Sequence, residues 1–251
     1  MSITKRVLWC ITGSGSFLRE IYRLFRSIRE KYDLEIGIIL SKAGVEVARI
    51  YGILDKLGNI ATGGRYDGIY SDVTESGITS DGIPLGGRVS LGRYKLVVVA
   101  PATTNTVAKI VNGIADTPVT IVVNQALKSK IPIIIFPSDY DEDAITHLPC
   151  YINEEKCIKC YKCVESCPNK AIYVDEYPRI NYNLCRGCEV CQKVCEVNAI
   201  KCWEEISYHP SRIDLENTKK LSLFKQVTVV KSINELKSKI ILHLTSRHQK
   251  S

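Results

Sequence analysis

Residues 157 to 168 read CIKCYKCVESCP, and residues 185 to 195 read CRGCEVCQKVC. The spacing C-x2-C-x2-C-x3-C thus occurs twice, and nothing else in the sequence restricts the fold so tightly. Three thiolates at these intervals wrap one corner of an iron–sulfur cube, while the fourth points away and reaches a neighbouring cluster. The spacing predicts one [4Fe-4S] cluster on Cys157, Cys160, Cys163 and Cys195, and a second on Cys185, Cys188, Cys191 and Cys167. Paired zinc sites also use C-x2-C, but they need two pairs per ion and leave the third cysteine of each run without a role. Two clusters so close together pass single electrons.

The two runs extend into a weak internal repeat, CIKCYKCVESCPNKAI against CRGCEVCQKVCEVNAI. Of the eleven cysteines, only Cys10, Cys150 and Cys202 lie outside the runs. Each is read as a small core residue rather than a reactive thiol. The net charge is +7, but residues 218 to 251 hold eight basic side chains against one acidic, Glu235, and so account for all of it. A local basic segment of this kind reads as a solvated face, and no nucleic-acid partner is expected. Apolar runs such as VTIVV and IPIIIF are too short to span a bilayer, so no membrane partner is expected either. The start, MSITKRVLWCITGSG, meets a glycine turn after one strand's length, unlike a signal peptide, which points to the cytoplasm.

Up to about residue 137 the pattern alternates. RVLWCIT, LEIGIIL, KLVVVAPAT, VTIVV and IPIIIF read as buried strands. Helices are expected over FLREIYRLFRSIREK, with Ser16 as N-cap, over GVEVARIYGILDKL and over TNTVAKIVNGIA. Continuous β-branched runs joined by amphipathic helices indicate an α/β fold whose parallel sheet is covered on both faces. Residues 58 to 93 hold nine of the sixteen glycines without a sustained period, and read as a binding lid in preference to a disordered excursion; Arg65, Tyr66 and Tyr70 there either cover a flat ligand or serve as packing or solvated loop. Beyond the cysteine module, QVTVV reads as a strand. Ser232 and Glu235 then cap a helix whose Ile233, Leu236, Ile240 and Leu244 need a surface to bury against.

The turn Thr12-Gly13-Ser14-Gly15-Ser16 follows the first strand and opens a helix, an arrangement that offers free N–H groups and a helix dipole to an anion. A dinucleotide fingerprint would place a third glycine at Leu18 and an acidic residue after the second strand; Ser41 and Lys42 stand there instead. NAD is therefore not expected, and the terminal phosphate of a mononucleotide suits the site. Pro101-Ala102-Thr103-Thr104-Asn105-Thr106 leaves the third strand at the same edge, with Pro101 expected to end that strand. Its hydroxyl and amide groups serve either the ligand or plain helix capping.

PATTNTVAKI, SKAG and the glycine turn together resemble the flavoprotein family typified by the homo-oligomeric flavin-containing cysteine decarboxylases, over about residues 5 to 137. The cysteine module, with Pro168 after its fourth cysteine, resembles bacterial-type ferredoxins. The whole chain is similar to archaeal flavoprotein–ferredoxin fusions of the dihydromethanopterin reductase family. The resemblance implies a flavodoxin-like (Rossmann-like) three-layer domain over 1–140 that binds FMN. It also implies an inserted 2[4Fe-4S] ferredoxin domain (α+β) over 150–205, and a C-terminal strand–helix segment over 206–251 that packs back. It implies further a homo-oligomer built from trimers, an external one-electron donor such as ferredoxin, and reduction of dihydromethanopterin to tetrahydromethanopterin. A non-enzymatic electron carrier is the alternative. Decarboxylation is not expected: no histidine precedes His147 and Met1 is the single methionine, so the family's decarboxylase equipment is missing. A flavin takes electrons one at a time and delivers two together, so joining it to the relay makes a one-to-two electron converter.

Overall fold

The computed structural model describes residues 5–71 and 82–245. In chain order the first body contains β1 (Lys5–Ile11), α1 (Leu18–Lys31), β2 (Leu34–Leu40), α2 (Lys42–Ile50), β3 (Ile69–Ser71), α3 (Leu85–Ser90) and β4 (Leu96–Ala102). It continues with α4 (Thr104–Val111), α5 (Pro118–Lys128) and β5 (Ile133–Pro137). A ribbon of β6 (Ala144–His147) and, on the return, β11 (Glu205–Tyr208) carries the chain out and back. Between them lie β7 (Tyr151–Ile152), α6 (Lys162–Glu165), β8 (Ile172–Val174), β9 (Pro178–Ile180), α7 (Val190–Lys193) and β10 (Ile200–Lys201). The chain closes with α8 (Arg212–Lys220), β12 (Val227–Val229) and α9 (Ile233–Thr245).

All strand pairs of the main sheet are parallel, in the order β12-β5-β4-β1-β2-β3. Alternate residues of β1 face opposite layers: Val7, Trp9 and Ile11 join the core under α1, α2 and α9, whereas Leu8 and Cys10 join the core under α3, α4 and α5. Both faces being dry, the strand reads as an unbroken apolar run. Trp9 stacks on Phe25 of α1 with ring centroids 4.3 Å apart and donates its indole N–H to the Ala100 carbonyl at 2.7 Å. The C-terminal segment completes the same body. β12 pairs with β5, and α9 buries Leu236, Ile240 and Leu244 in the α1 layer, each worth about 1.5–3 kcal/mol of apolar burial. Glu235 accepts the Lys231 N–H at 2.7 Å, and Ser232 Oγ accepts the Glu235 N–H at 3.2 Å.

Four expectations need correction. VTIVV is not a strand; it lies within α5. Thr117 caps that helix reciprocally with Thr120, Pro118 occupies its first turn, and Val119, Val122, Val123 and Ala126 are buried at helical spacing. The β-branched composition hid that period. The helix α1 is not capped by Ser16, because its N-cap position falls to Phe17, in the left-handed region at φ 54°. Pro101 does not end the third expected strand. It sits inside β4, at a register shift between Val99 and Ala102, where a missing N–H is tolerated. The 58–93 segment is not wholly irregular: it supplies a 3-10 turn reaching Asn59, the edge strand β3 and the helix α3. Residues 72–81 of the expected lid lie outside the described residues.

Because Trp9 fills the layer between sheet and α1, Trp9→Ala is expected to lower stability by about 3–5 kcal/mol. The urea midpoint, followed by far-ultraviolet circular dichroism, measures it; an unchanged midpoint would show that this layer is not what holds the sheet.

Candidate functional site

Parallel pairing sends the C-terminal ends of β1, β2, β4 and β5 to one edge, where open α/β sheets carry their ligands. Four turns meet there. Thr12 ties two of them together: its Oγ1 donates to the Pro101 carbonyl at 2.8 Å and accepts the Thr103 N–H at 2.9 Å. Ser41 Oγ accepts the Gly44 N–H at 3.1 Å and caps α2, while Thr103 Oγ1 accepts the Thr106 N–H at 3.3 Å and caps α4. The helix α1 differs, for it begins with no side-chain cap and presents the positive end of its dipole to the Gly13–Ser16 turn. Ser14 Oγ holds that turn by accepting the Ser16 N–H at 3.2 Å. A Cβ on Gly15 would fall 2.0 Å from the Tyr51 hydroxyl, and one on Gly13 2.7 Å from Ala43 Cβ, so the turn is glycine by close approach. Thr106 and Ala102 are buried, Thr104 is half-buried, and Lys42 and Asn105 are exposed at the rim.

Several neighbours were not anticipated. Ser138 and Asp139 follow β5 at this edge and are buried; the Ser138 N–H donates to the Ala102 carbonyl at 2.9 Å, and its hydroxyl to the Asp139 carboxylate. Thr218 Oγ1 donates to the Asp139 carbonyl at 2.7 Å. The Tyr208 hydroxyl lies 3.4 Å from the Ser138 carbonyl, and burial, then the Asp139 charge, push its phenol up. The ring of His147 stands 5.6 Å from that of Phe17. His147 Nδ1 is buried without a hydrogen-bond partner among the described residues, a free polar atom beside the glycine turn. IIIFPSD ends a core strand at the ligand edge, so Ser138 and Asp139 were readable in principle. Tyr208 and His147 arrive on the ribbon, and no local pattern marks them.

Tyr66 does not join this edge. It is buried against Arg6 near the start of β1, whose guanidinium lies 4.0 Å from the ring centroid, and its carbonyl accepts the Tyr94 hydroxyl at 3.0 Å. This is the opposite edge of the sheet. Arg65 and Tyr70 touch Arg88, fully buried, which donates to the Arg65 carbonyl and, at 3.1 Å, to the Tyr70 hydroxyl. Of the two readings open for these residues, the contacts favour packing around a buried guanidinium.

The cysteine module contains two small apolar cavities. Cys157, Cys160, Cys163 and Cys195 line one; Cys167, Cys185, Cys188 and Cys191 line the other. The internal repeat is visible in the backbone. Lys159 and Gly187, Tyr161 and Glu189, and Lys170 and Asn198 share positive φ at equivalent places, and Cys167 and Cys195 Sγ each accept a backbone N–H at 3.2 Å. Burial pushes the Cys191 thiol up to about 12 and raises Cys163 and Cys185 as well. Thiolates at this depth need a bound cation to hold them, which is what an iron–sulfur core supplies. Cys150 and Cys202 are not isolated core residues as expected: they form a disulfide.

Residues 1–142 match the model of the family described as Flavoprotein, and residues 156–199 match a 4Fe-4S dicluster domain. The chain belongs to the Flavoprotein family. A relative from Methanocaldococcus jannaschii named dihydromethanopterin reductase (acceptor) is 40% identical over 237 residues, which cover 93% of this chain and 95% of the relative. One of the same name from Methanosarcina mazei is 34% identical, covering 91% and 95%. The crystal structure of Burkholderia xenovorans DmrB in complex with FMN, described as a cubic protein cage for redox transfer, is 27% identical. It superposes with a TM-score of 0.61 over 98% of both chains. The fold is thus the expected flavodoxin-like parallel sheet with a ferredoxin module.

In this flavoprotein the relay docks beside the glycine turn. A Cβ on Gly187 would fall 2.4 Å from the Ile50 carbonyl and 2.7 Å from Gly52 N, so backbone meets backbone at the end of α2. Arg49 donates to the carbonyls of Tyr182 and, at 3.1 Å, Cys185. Arg19 pairs with Glu189 at 2.7 Å and lies over the Trp203 ring, which also packs on Tyr51. Removing Arg49 strips two charge-assisted bonds, each about 1.5–3 kcal/mol. Arg49→Ala is accordingly expected to raise amide exchange over residues 182–189 while leaving iron content unchanged; equal protection in both proteins would mean that Arg49 does not hold the dock.

Proposed function

We propose that this iron–sulfur flavoprotein is an oxidoreductase that takes electrons singly through two [4Fe-4S] clusters and uses FMN to reduce dihydromethanopterin to its tetrahydro form. The observation that carries the reading is the crossed lining of the two cavities, three cysteines from one run and the fourth from the other, docked against the edge that bears the glycine turn. Cys157, Cys160, Cys163 and Cys195 hold one cluster, and Cys185, Cys188, Cys191 and Cys167 the other. Flavin, when bound, supplies one-electron uptake and paired delivery. The protein's own part is to bind and orient. The uncapped start of α1 and the N–H groups of Gly13–Ser16 bind the phosphate with Lys42, while the 101–106 turn, with Thr12 fixing it, shapes the neighbouring wall. His147, Tyr208 and Asp139 supply polar atoms on the buried side. The substrate follows from the relatives' names and coverage, which favour an enzyme over a bare carrier.

The reading divides the chain into an FMN body (1–140), the relay (150–205) and a C-terminal segment (206–251) that belongs to the FMN body. Its donor is a ferredoxin-class protein, and the assembly is a homo-oligomer built from trimers, for which the cage of the Burkholderia relative is the nearest support. No helix among the described residues is long and apolar enough to cross a membrane.

Three measurements test this. Lys42→Ala removes a charge-assisted contact of about 1.5–3 kcal/mol, so FMN should dissociate about ten- to a hundredfold more readily; unchanged affinity would move the phosphate elsewhere. Anaerobic protein should carry about eight iron and eight sulfide per chain. After reduction and removal of excess reductant, it should reoxidise on adding dihydromethanopterin, with tetrahydromethanopterin formed. A flavin that stays reduced with the pterin, yet is reoxidised by ferredoxin, would leave only a carrier.

A further inference from the structure

The disulfide between Cys150 and Cys202 has no part in the ligand set of either cavity, yet it stands at the wall of one. Cys150, 2% exposed, lines the cavity shared by Cys167, Cys185, Cys188 and Cys191. The sulfurs of Cys150, Cys191 and Cys202 all lie within 4.8 Å of one another. A cysteine that holds iron is therefore in near contact with the disulfide.

The backbone keeps the two sulfurs together independently of their bond. Cys150 directly precedes β7 and Cys202 directly follows β10; these strands pair antiparallel, with Tyr151 opposite Lys201. Beyond the disulfide the Trp203 N–H donates to the Leu148 carbonyl at 2.9 Å, and the Leu148 N–H to the Glu204 carbonyl at 2.8 Å. Hydrogen bonds thus close the ladder on both sides, so breaking the S–S bond leaves two thiols facing each other, ready to re-form it. On the ligand reading above, the eight run cysteines hold clusters and are kept out of disulfides, as they are in reducing surroundings. There, disulfides are usually transient, catalytic or redox-sensing.

We propose that Cys150 and Cys202 form a redox-active pair that exchanges electrons with the iron–sulfur centre held in part by Cys191; the inference rests on the ligand reading given above. On reduction the S–S bond breaks, each sulfur takes one electron and one proton, and two thiols form. The electrons come one at a time from a reduced ferredoxin-class donor through the relay, and the protons come from water. Reoxidation returns both electrons by the same route. The pair is a two-electron store beside a one-electron conductor. Its placement also links it to the flavin side: Trp203, next in sequence to Cys202, packs on Tyr51 at 5.2 Å between ring centroids, and Tyr51 abuts the Gly15 turn.

The test uses full-length protein carrying iron and FMN, isolated anaerobically without thiol reagents and poised with excess oxidised 2[4Fe-4S] ferredoxin. Reduced ferredoxin is then added, thiols are trapped with N-ethylmaleimide, and the peptides bearing Cys150 and Cys202 are weighed. Labelling at both is expected to rise about tenfold or more, a shift of at least roughly 30 mV in poise for a two-electron couple. Protein stripped of iron should show no rise with the same donor. In a parallel anaerobic titration the wild type should consume about two electrons more per chain than the Cys150→Ser/Cys202→Ser variant. Cys202→Ser alone gives the same count if the double variant does not fold. The proposal is overturned if both cysteines stay unlabelled while the cluster absorbance bleaches, which would leave a structural bond. It is equally overturned if they are already labelled in the oxidised protein, if labelling rises as fast without iron, or if the electron counts agree. Failure of the underlying ligand reading shows separately, as full iron content in Cys191→Ala.

Discussion

Everything at the functional edge depends on β1 pairing in parallel with β2 on one side and β4 on the other, in register along its length. That pairing makes the ends of four strands coincide, so turns from residues 12, 41, 101 and 138 onward share one surface. The Thr12 hydroxyl, bonding both to Pro101 and to Thr103, converts that coincidence into a fixed geometry. Two dry layers enforce the register, because a slip of one residue would exchange Trp9 and Cys10 between faces that fit only one of them.

The relay is attached by different physics. Its own core is small, centred on Cys163, Ile172, Cys191 and Ile200, which makes the two cysteine cavities part of its fold as well as of its function. It meets the sheet body through main chain at Gly52 and Gly187 and through arginines from α1 and α2. Such contacts fix distance and orientation with few side chains, which is what electron transfer between the bodies requires. The second run supplies most of them, through Cys185, Gly187 and Glu189, with Tyr182 just before it and Trp203 beyond it.

Much of this was legible. The doubled cysteine spacing separated the two groups of four that line the two cavities, because a fixed chain length between the runs leaves few ways to bring them together. Buried strands were visible as apolar runs, and the glycine turn as a strand-to-helix junction. What misled was composition without period: VTIVV looks like a strand, yet a threonine cap and a proline start a helix there, and its valines fall on one helical face. Tyr66 misled in the opposite way. A tyrosine in a glycine-rich stretch suggested a ligand cover, and a buried arginine claimed the region instead.

By itself the sequence determined the α/β pattern, the two cysteine sets and the absence of a dinucleotide fingerprint, since each is set by local spacing along the chain. Only the tertiary structure decided that the last strand, β12, joins the first domain's sheet, that His147 and Tyr208 stand beside the glycine turn, and that Cys150 meets Cys202 against Cys191. These pairs lie far apart in sequence and are brought together by strand pairing across the ribbon and module. No local pattern encodes that pairing, because a single hydrogen-bonded ladder can close almost any intervening length.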